Sequence, residues 1–298
     1  MGSAASIGLP FLTRLIKNRP VKKVLWRKKE TMLAAPPVFS EYDTHQVTIV
    51  AQTQAVERAV QVMHTHLHEL LTLEDLASVA CLSPFHFNRV FRRLIGIPPG
   101  EFLSALRFQA ARRLLLTTPL SVTDICFEVG YTSIGSFTSR FTHRVGLSPR
   151  LLRQRAYAFE PRPVVQAELS PPASSAILRK HTLLGLISAP APFQGTIYVG
   201  LFSSPIPQGA PVRCTKIGSS GWYLLNGVAD GVYHLRAAAF PAASNLQSSL
   251  LPGEKLLLGN NASPLVIHQG QVVSGDPNLV LHPPRLTDPP LVMGLPLL

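Results

Sequence analysis

The chain has 298 residues, of which 46% are hydrophobic and 15% charged, and its formal net charge is +12. That length has room for two modest domains, and the excess of base points to a polyanionic partner, nucleic acid before membrane. The three cysteines, Cys81, Cys126 and Cys214, are an odd, scattered set without metal-ligand spacing, as expected in a reducing cytosol. The charge is uneven: eight Lys/Arg against one acid in residues 1–30, twelve against seven in 56–155, and five against four in 181–298.

Residues 1–30 carry Ile7, Leu9, Phe11, Leu12, Leu15 and Ile16, then a basic run from Lys17 to Lys29 that includes Trp26. The apolar part is short and precedes the charges, so it is not a secretory signal. Gly2 with Ser6 matches a myristoylation pattern, but six residues match such a pattern cheaply. A basic arm can add phosphate contacts, and a frayed solvated tail is the plainer reading. Residues 1–50 are therefore expected to be arm and linker, with Ala34–Pro37 closing the arm. A first helix is predicted over Ala55–Leu70, with Val56, Val60, Met63 and Leu67 on its packed face. His64, His66 and His68 invite a metal reading, but only His64 and His68 would share a side, and no third ligand is in sight.

Thr72-Leu-Glu-Asp75 reads as a capping box opening a short helix that packs Leu73, Leu76, Ala77 and Ala80. The break Cys81–Pro84 then joins it to a second helix, capped by Ser83, with Pro84 in its first turn and Gly96 as its stop. That is the spacing of a helix-turn-helix. Phe87, Val90, Phe91 and Leu94 fall on one side of this second helix. Phe85, Arg89 and Arg92 fall on the other, flanked by His86, Asn88 and Arg93. Arginine offers two donors to guanine, and asparagine pairs with adenine or holds a phosphate, so this face suits the major groove. A solvated charged face is the alternative.

The pattern recurs about fifty residues later. Ser121-Val-Thr-Asp124 repeats the box, Val122, Ile125, Cys126 and Val129 repeat the apolar positions, and Gly130–Ser133 is the turn, its cap Ser133 standing one residue farther from the box than Ser83 does. Phe137, Phe141, Gly146 and Pro149 match Phe87, Phe91, Gly96 and Pro99. Matched through the phenylalanines, the outward positions of a helix starting at Ser133 are Gly135, Ser139 and Thr142, flanked by Ser136, Thr138 and His143. Between the two units, Leu103, Leu106, Ala110 and Leu114 stand at helical spacing before Pro119. On that connecting helix Arg107, Arg112 and Arg113 are read either as phosphate contacts or as solvated.

These residues resemble the paired helix-turn-helix domain of the AraC/XylS transcription regulators. The cues are Leu82-Ser83-Pro84-Phe85-His86-Phe87, Arg89-Val90-Phe91-Arg92 and Gly96, then Ser121–Ile125, Glu128–Tyr131, Ser136-Phe137, Phe141 and Gly146–Pro149. The resemblance implies seven helices over about 51–157, with two recognition helices in successive major-groove segments about one turn, ~34 Å, apart. Family members usually show an arginine where Ser139 stands, whereas here Arg140 is displaced one position toward the packed side. Residues 38–54 are too few for the N-terminal sugar-sensing barrel that many members carry.

A Pro-rich linker is expected over 158–182, with Pro161, Pro163, Pro171 and Pro172. Beyond it come short β-prone runs at Gly195–Phe202, Val212–Ile217, Trp222–Leu225, Val232–Phe240, Leu265–His268 and Leu279–His282. They suggest a small β-sandwich over 183–282. Gly221–Leu235 is similar to the core of transthyretin-like and carboxypeptidase-regulatory β-domains. The Pro-rich residues 283–298 are expected to be irregular or disordered. The predicted fold class is thus α plus β: an all-α paired helix-turn-helix domain, then a small all-β sandwich-like domain.

No Gly-rich phosphate loop, metal cluster or nucleophile elbow stands out, and no cofactor is expected. A related architecture joins this helical domain to DNA alkylation repair through a reactive cysteine, but Cys81 and Cys126 fall where a helix should be packed. The chain therefore reads as a non-enzymatic, cytoplasmic DNA-binding transcription regulator. Its expected DNA-binding residues are Ser83, Phe85, His86, Asn88, Arg89, Arg92 and Arg93, then Ser133, Gly135, Ser136, Ser139, Thr142 and His143. Expected partners are double-stranded DNA and RNA polymerase, with a small-molecule or protein ligand of the β-domain left open. The competing reading is a scaffold whose β-domain recognises sugar or protein and whose helices bind DNA nonspecifically.

Overall fold

The computed structural model describes residues 41–158, 181–242, 255–261 and 263–293. The basic arm and nearly all of the Pro-rich linker lie outside them. The described residues from His45 on form one compact unit. Seven helices come first among the described residues: α1 (Glu41–Thr65), α2 (Leu73–Val79), α3 (Pro84–Ile95), α4 (Pro99–Thr117), α5 (Val122–Glu128), α6 (Ile134–Val145) and α7 (Pro149–Tyr157). Nine strands follow.

The first helix departs from its predicted span at both ends. It begins at Glu41, inside the stretch read as linker, and stops at Thr65 rather than Leu70. The stop has a tertiary cause. The chain after Thr65 is turned so that Arg107 on α4 can donate to the carbonyls of Leu67 and Glu69, each at 2.7 Å. The backbone of His68 also lies against Gly130, where a Cβ would come within 2.8 Å of the His68 oxygen and φ is +82°. Only glycine fits that turn.

The two short helices α2 and α5 are too brief to persist on propensity alone, and capping does much of the work at their starts. The Asp75 amide donates to the Thr72 hydroxyl at 3.2 Å, and the Thr72 amide donates back to the Asp75 carboxylate at 2.9 Å. Ser121 and Asp124 repeat this at 3.1 and 3.2 Å. Hydrogen bonds from Thr72, hydroxyl first and amide second, hold the Asp75 carboxyl below the usual carboxylate range. The contribution of this cap is therefore complete above about pH 4 and is lost as pH falls through the lowered pKa. Thermal melts of Asp75→Asn should lie below those of the parent at pH 7 and converge with them toward pH 3. A pH-independent gap would assign the loss to something other than the charged cap.

One core serves all the helices. α4 runs between the two helix-turn-helix units and hands each an aromatic ring. Phe102 meets Phe91 edge-on at 5.6 Å between centroids. Phe108 stacks on Tyr131 at 5.4 Å and also meets Phe137 and Phe141. The predicted packed residues Leu76, Ala77, Ala80, Phe87, Val90, Phe91, Ile125, Cys126, Val129, Phe137 and Phe141 are all buried here.

The C-terminal part is a two-sheet sandwich. One sheet orders β4 (Gly221–Asn226), β1 (Thr182–Ser188) and β9 (Leu279–Val280), with β9 parallel to β1. The other orders β3 (Arg213–Ser219), β2 (Gln194–Phe202), β5 (Gly231–Pro241), β7 (Leu265–His268) and β8 (Gln271–Ser274), with β6 (Leu257–Asn260) also paired to β5. Leu183, Ile187, Ile197, Val199, Leu201, Tyr223, Leu235 and Leu265 fill the space between the sheets. The Tyr223 hydroxyl donates to the Pro277 carbonyl at 2.6 Å, which satisfies the one polar atom of the largest buried side chain.

The two parts touch. Ile206, in the β2–β3 loop, and Val292, in the tail, are both 0% exposed and pack within the helical core. The Gly209 amide donates to the Arg144 carbonyl at the end of α6 at 2.7 Å, and Pro205 lies against Gly96 at the end of α3. Of the two readings of the tail, irregular or disordered, the second is corrected as far as Met293: the backbone there is irregular but packed. Its prolines keep it out of either sheet, but Leu291, Val292 and Met293 are buried. Arg112 corrects a second expectation. It neither meets solvent nor faces outward; it is 6% exposed and donates to the Met293 carbonyl. Burial lowers its pKa to about 10, which leaves it charged at neutral pH.

Candidate DNA-binding surface

The outer faces of α3 and α6 are built by the same local rules. Ser83 and Ser133 cap the two helices, each hydroxyl accepting from the amide three residues on at 3.4 Å. Gly96 and Gly146 close them in the left-handed conformation, at φ of +89° and +88°. Between these ends, Phe87 and Phe91 in one helix and Phe137 and Phe141 in the other turn inward. This fixes which residues must face out.

On α3 the exposed set is Ser83, Pro84, Phe85, Arg89, Arg92 and Arg93, with His86 and Asn88 half-buried. Phe85 is 80% exposed, unusual for a ring of that size, and it stacks on no other ring among the described residues. Arg93 is directed sideways and donates to the Gln52 side chain of α1. On α6 the exposed set is Ser133, Ile134, Gly135, Ser136, Ser139, Arg140, Thr142 and His143. Several of its hydroxyls already serve the helix. Ser136 donates to the Ser133 carbonyl at 3.0 Å, and Thr142 to the Thr138 carbonyl at 2.8 Å. The carbonyl of His143 lies beside Gly209 of the sandwich, so the end of α6 is next to the β-domain.

Arg140 is the residue the wheel misplaced. It occupies the register of buried Val90, yet it is exposed. A long flexible side chain carries its charge out of a flanking position where valine cannot. The signal was available: a lone arginine among inward phenylalanines cannot be buried without a partner. Together α3 and α6 hold five arginines (Arg89, Arg92, Arg93, Arg140 and Arg144) and no carboxylate. The connecting-helix arginines divide differently. Arg107 is bonded to backbone carbonyls, Arg112 is buried, and Arg113 alone is exposed.

The turns complete the repeat. The amides of Leu82 and Tyr131 donate to the carbonyls of Ala77 and Cys126, each at 3.0 Å. Cys81 stands where Gly130 does and shares its left-handed backbone, at φ +57°. It is exposed in the turn, not packed on a helix as expected, whereas Cys126 is buried and its thiol pKa is raised by that burial.

A helix-turn-helix domain family matches residues 76–155. A solved regulator from Chromobacterium violaceum, described by its AraC-type DNA-binding domain, aligns at 26% identity. The alignment covers 36% of this chain and 95% of that one, with a TM-score of 0.34. The transcriptional activator AarP of Providencia stuartii is 33% identical over 102 residues, which is 34% of this chain and 76% of AarP. This chain belongs to the AraC family.

Other AraC relatives are matched over less of their length. The bifunctional transcriptional activator and DNA repair enzyme AdaA of Bacillus subtilis is 31% identical over 99 residues. That is 33% of this chain and 47% of AdaA, so the chain spans under half of this relative. The family match ends at Arg155, before the first strand of the sandwich. No helix among the described residues is long and apolar enough to cross a membrane.

Proposed function

We propose that this AraC-family chain is a sequence-specific, cytoplasmic DNA-binding transcription regulator that places α3 and α6 in successive major-groove segments. The observation that carries the reading is the repeated unit itself. Two capped helices have inward phenylalanines, outward faces free of carboxylate, and a shared connecting helix that fixes their spacing. The proposed contacts on α3 are Ser83, Phe85, His86, Asn88, Arg89, Arg92 and Arg93. On α6 they are Ser133, Gly135, Ser136, Ser139, Thr142 and His143, and the exposure of Arg140 supports adding it to this proposed set. RNA polymerase is the expected protein partner, and no catalytic role is proposed.

The two helices should read unequally. Arg89 and Arg92 have the reach and the two-donor geometry to pair a guanine edge, whereas α6 offers short hydroxyls already bonded to their own helix. The half-site under α3 should therefore tolerate few base changes. The half-site under α6 should be read loosely, partly through DNA shape, with Arg140 supplying charge. Selection of bound duplexes from a random pool checks this. One conserved block and one degenerate block are expected, and two equally restricted blocks would refute the assignment of outward residues.

A further inference from the structure

The second face of the large sheet holds a cavity of about 500 Å³, within the range of ligand pockets. Gly200 of β2 and Ala238 of β5 form its floor, and the Phe202 ring lies over Gly200, where a Cβ would come within 2.8 Å of it. Tyr198 and Phe202 flank that floor, and Leu291 and Met293 of the tail line it from outside. Most of the lining is therefore apolar, yet two cations reach it.

Lys216 of β3 pairs across from Tyr198 and makes no ion pair among the described residues. Arg236 of β5 is the other. Its Nε and Nη2 donate to the Pro205 carbonyl at 3.2 and 2.8 Å, and Nη1 donates to the Leu235 carbonyl at 3.4 Å. Burial lowers its pKa to about 10, Asp288 opposing, so it is charged at neutral pH. Among the described residues Asp288 is the one carboxylate lining the cavity, and it is already engaged by the Arg285 amide at 2.7 Å and lies 3.7 Å from His282. Two cations, one occupied carboxylate and an apolar body of space favour a singly charged anion with a greasy tail or ring.

Arg236 also holds the loop that meets the DNA-binding part. The Pro205 it grips lies against Gly96 at the end of α3, Ile206 is inserted in the helical core, and Gly209 bonds the end of α6. A carboxylate is a stronger acceptor for guanidinium than a peptide carbonyl. We propose that the cavity is an effector site for a small monocarboxylate with an apolar body, and that Arg236 relays its occupancy through Pro205 to α3 and α6. The site stands apart from the proposed DNA reading; only the relay rests on it.

Calorimetric titration of the full chain with sodium octanoate and sodium benzoate tests the site, with octanamide as the uncharged control. At least one of the two acids should saturate a single site per chain, and octanamide should bind about tenfold more weakly or not at all. Lys216→Ala should weaken that acid about tenfold without moving the melting temperature, because its ammonium makes no ion pair among the described residues. Ala238→Leu should abolish binding by filling the floor. Absence of saturable binding by both acids, equal binding of octanamide, or unchanged affinity in Lys216→Ala would overturn the site. For the relay, saturating acid should change affinity for a selected duplex at least threefold. Saturable binding with unchanged DNA affinity would overturn the relay and leave the site. A chain that binds the acid but no DNA would refute the DNA reading instead.

Discussion

Phe108→Ala is expected to cost about 3–5 kcal/mol, a large part of the stability of an ordinary domain. The ring is fully buried and is shared by Tyr131, Phe137 and Phe141, with centroids at 5.4, 6.2 and 5.9 Å. Its loss would leave a cavity under α6 bounded by helices that cannot close over it without shifting α4. The first unit keeps its own link to α4 through Phe91 and Phe102. The damage should therefore be unequal: a lowered urea midpoint, and protection of DNA lost first at the half-site under α6. A destabilisation below about 1 kcal/mol would show that α4 does not organise the second unit in this way.

Arg89→Ala should reduce discrimination between preferred and random DNA by about 1–3 kcal/mol, roughly a factor of five to 150. Arg89 lies at the centre of the outer face of α3, between exposed Phe85 and Arg92. Arg93 provides the comparison, because its guanidinium is directed to Gln52 of α1. Arg93→Ala should weaken all duplexes about alike, as expected for a residue that serves phosphate or the fold rather than a base. Equal losses on both kinds of DNA for Arg89→Ala would remove it from base reading.

What the sequence revealed best were features closed within a few residues. Thr72 with Asp75, Ser121 with Asp124, and the pairs Ser83/Gly96 and Ser133/Gly146 are capping signals whose partners lie three to thirteen positions away. The structure forms each of them. The outward set on α3 followed from the same local logic. Features decided by distant chain were hidden. The stop of α1 at Thr65 depends on Arg107 from α4. Burial of Arg112 depends on Met293, 181 positions away. Strand β1 was not anticipated because Thr182–Ser188 shows little polar alternation, and its Gly185 is required only by the close approach of Pro277 and Tyr223. Strand β8 is exposed at all four positions and so shows no buried face, and β6 runs into the turn-forming Gly259, Asn260 and Asn261. Arg140 failed for a different reason: the wheel assigned it by angle and ignored the length of its side chain.

Hydroxyl-radical footprinting of the full chain on a duplex recovered by binding selection tests the central claim most directly. Two protected patches on one face of the DNA, centred about 10 base pairs apart, are the expected result, with Arg89→Ala weakening the patch under α3. Protection that is continuous, independent of sequence and abolished alike everywhere by salt would contradict it. That pattern belongs to a chain whose helices hold the phosphate backbone without reading bases.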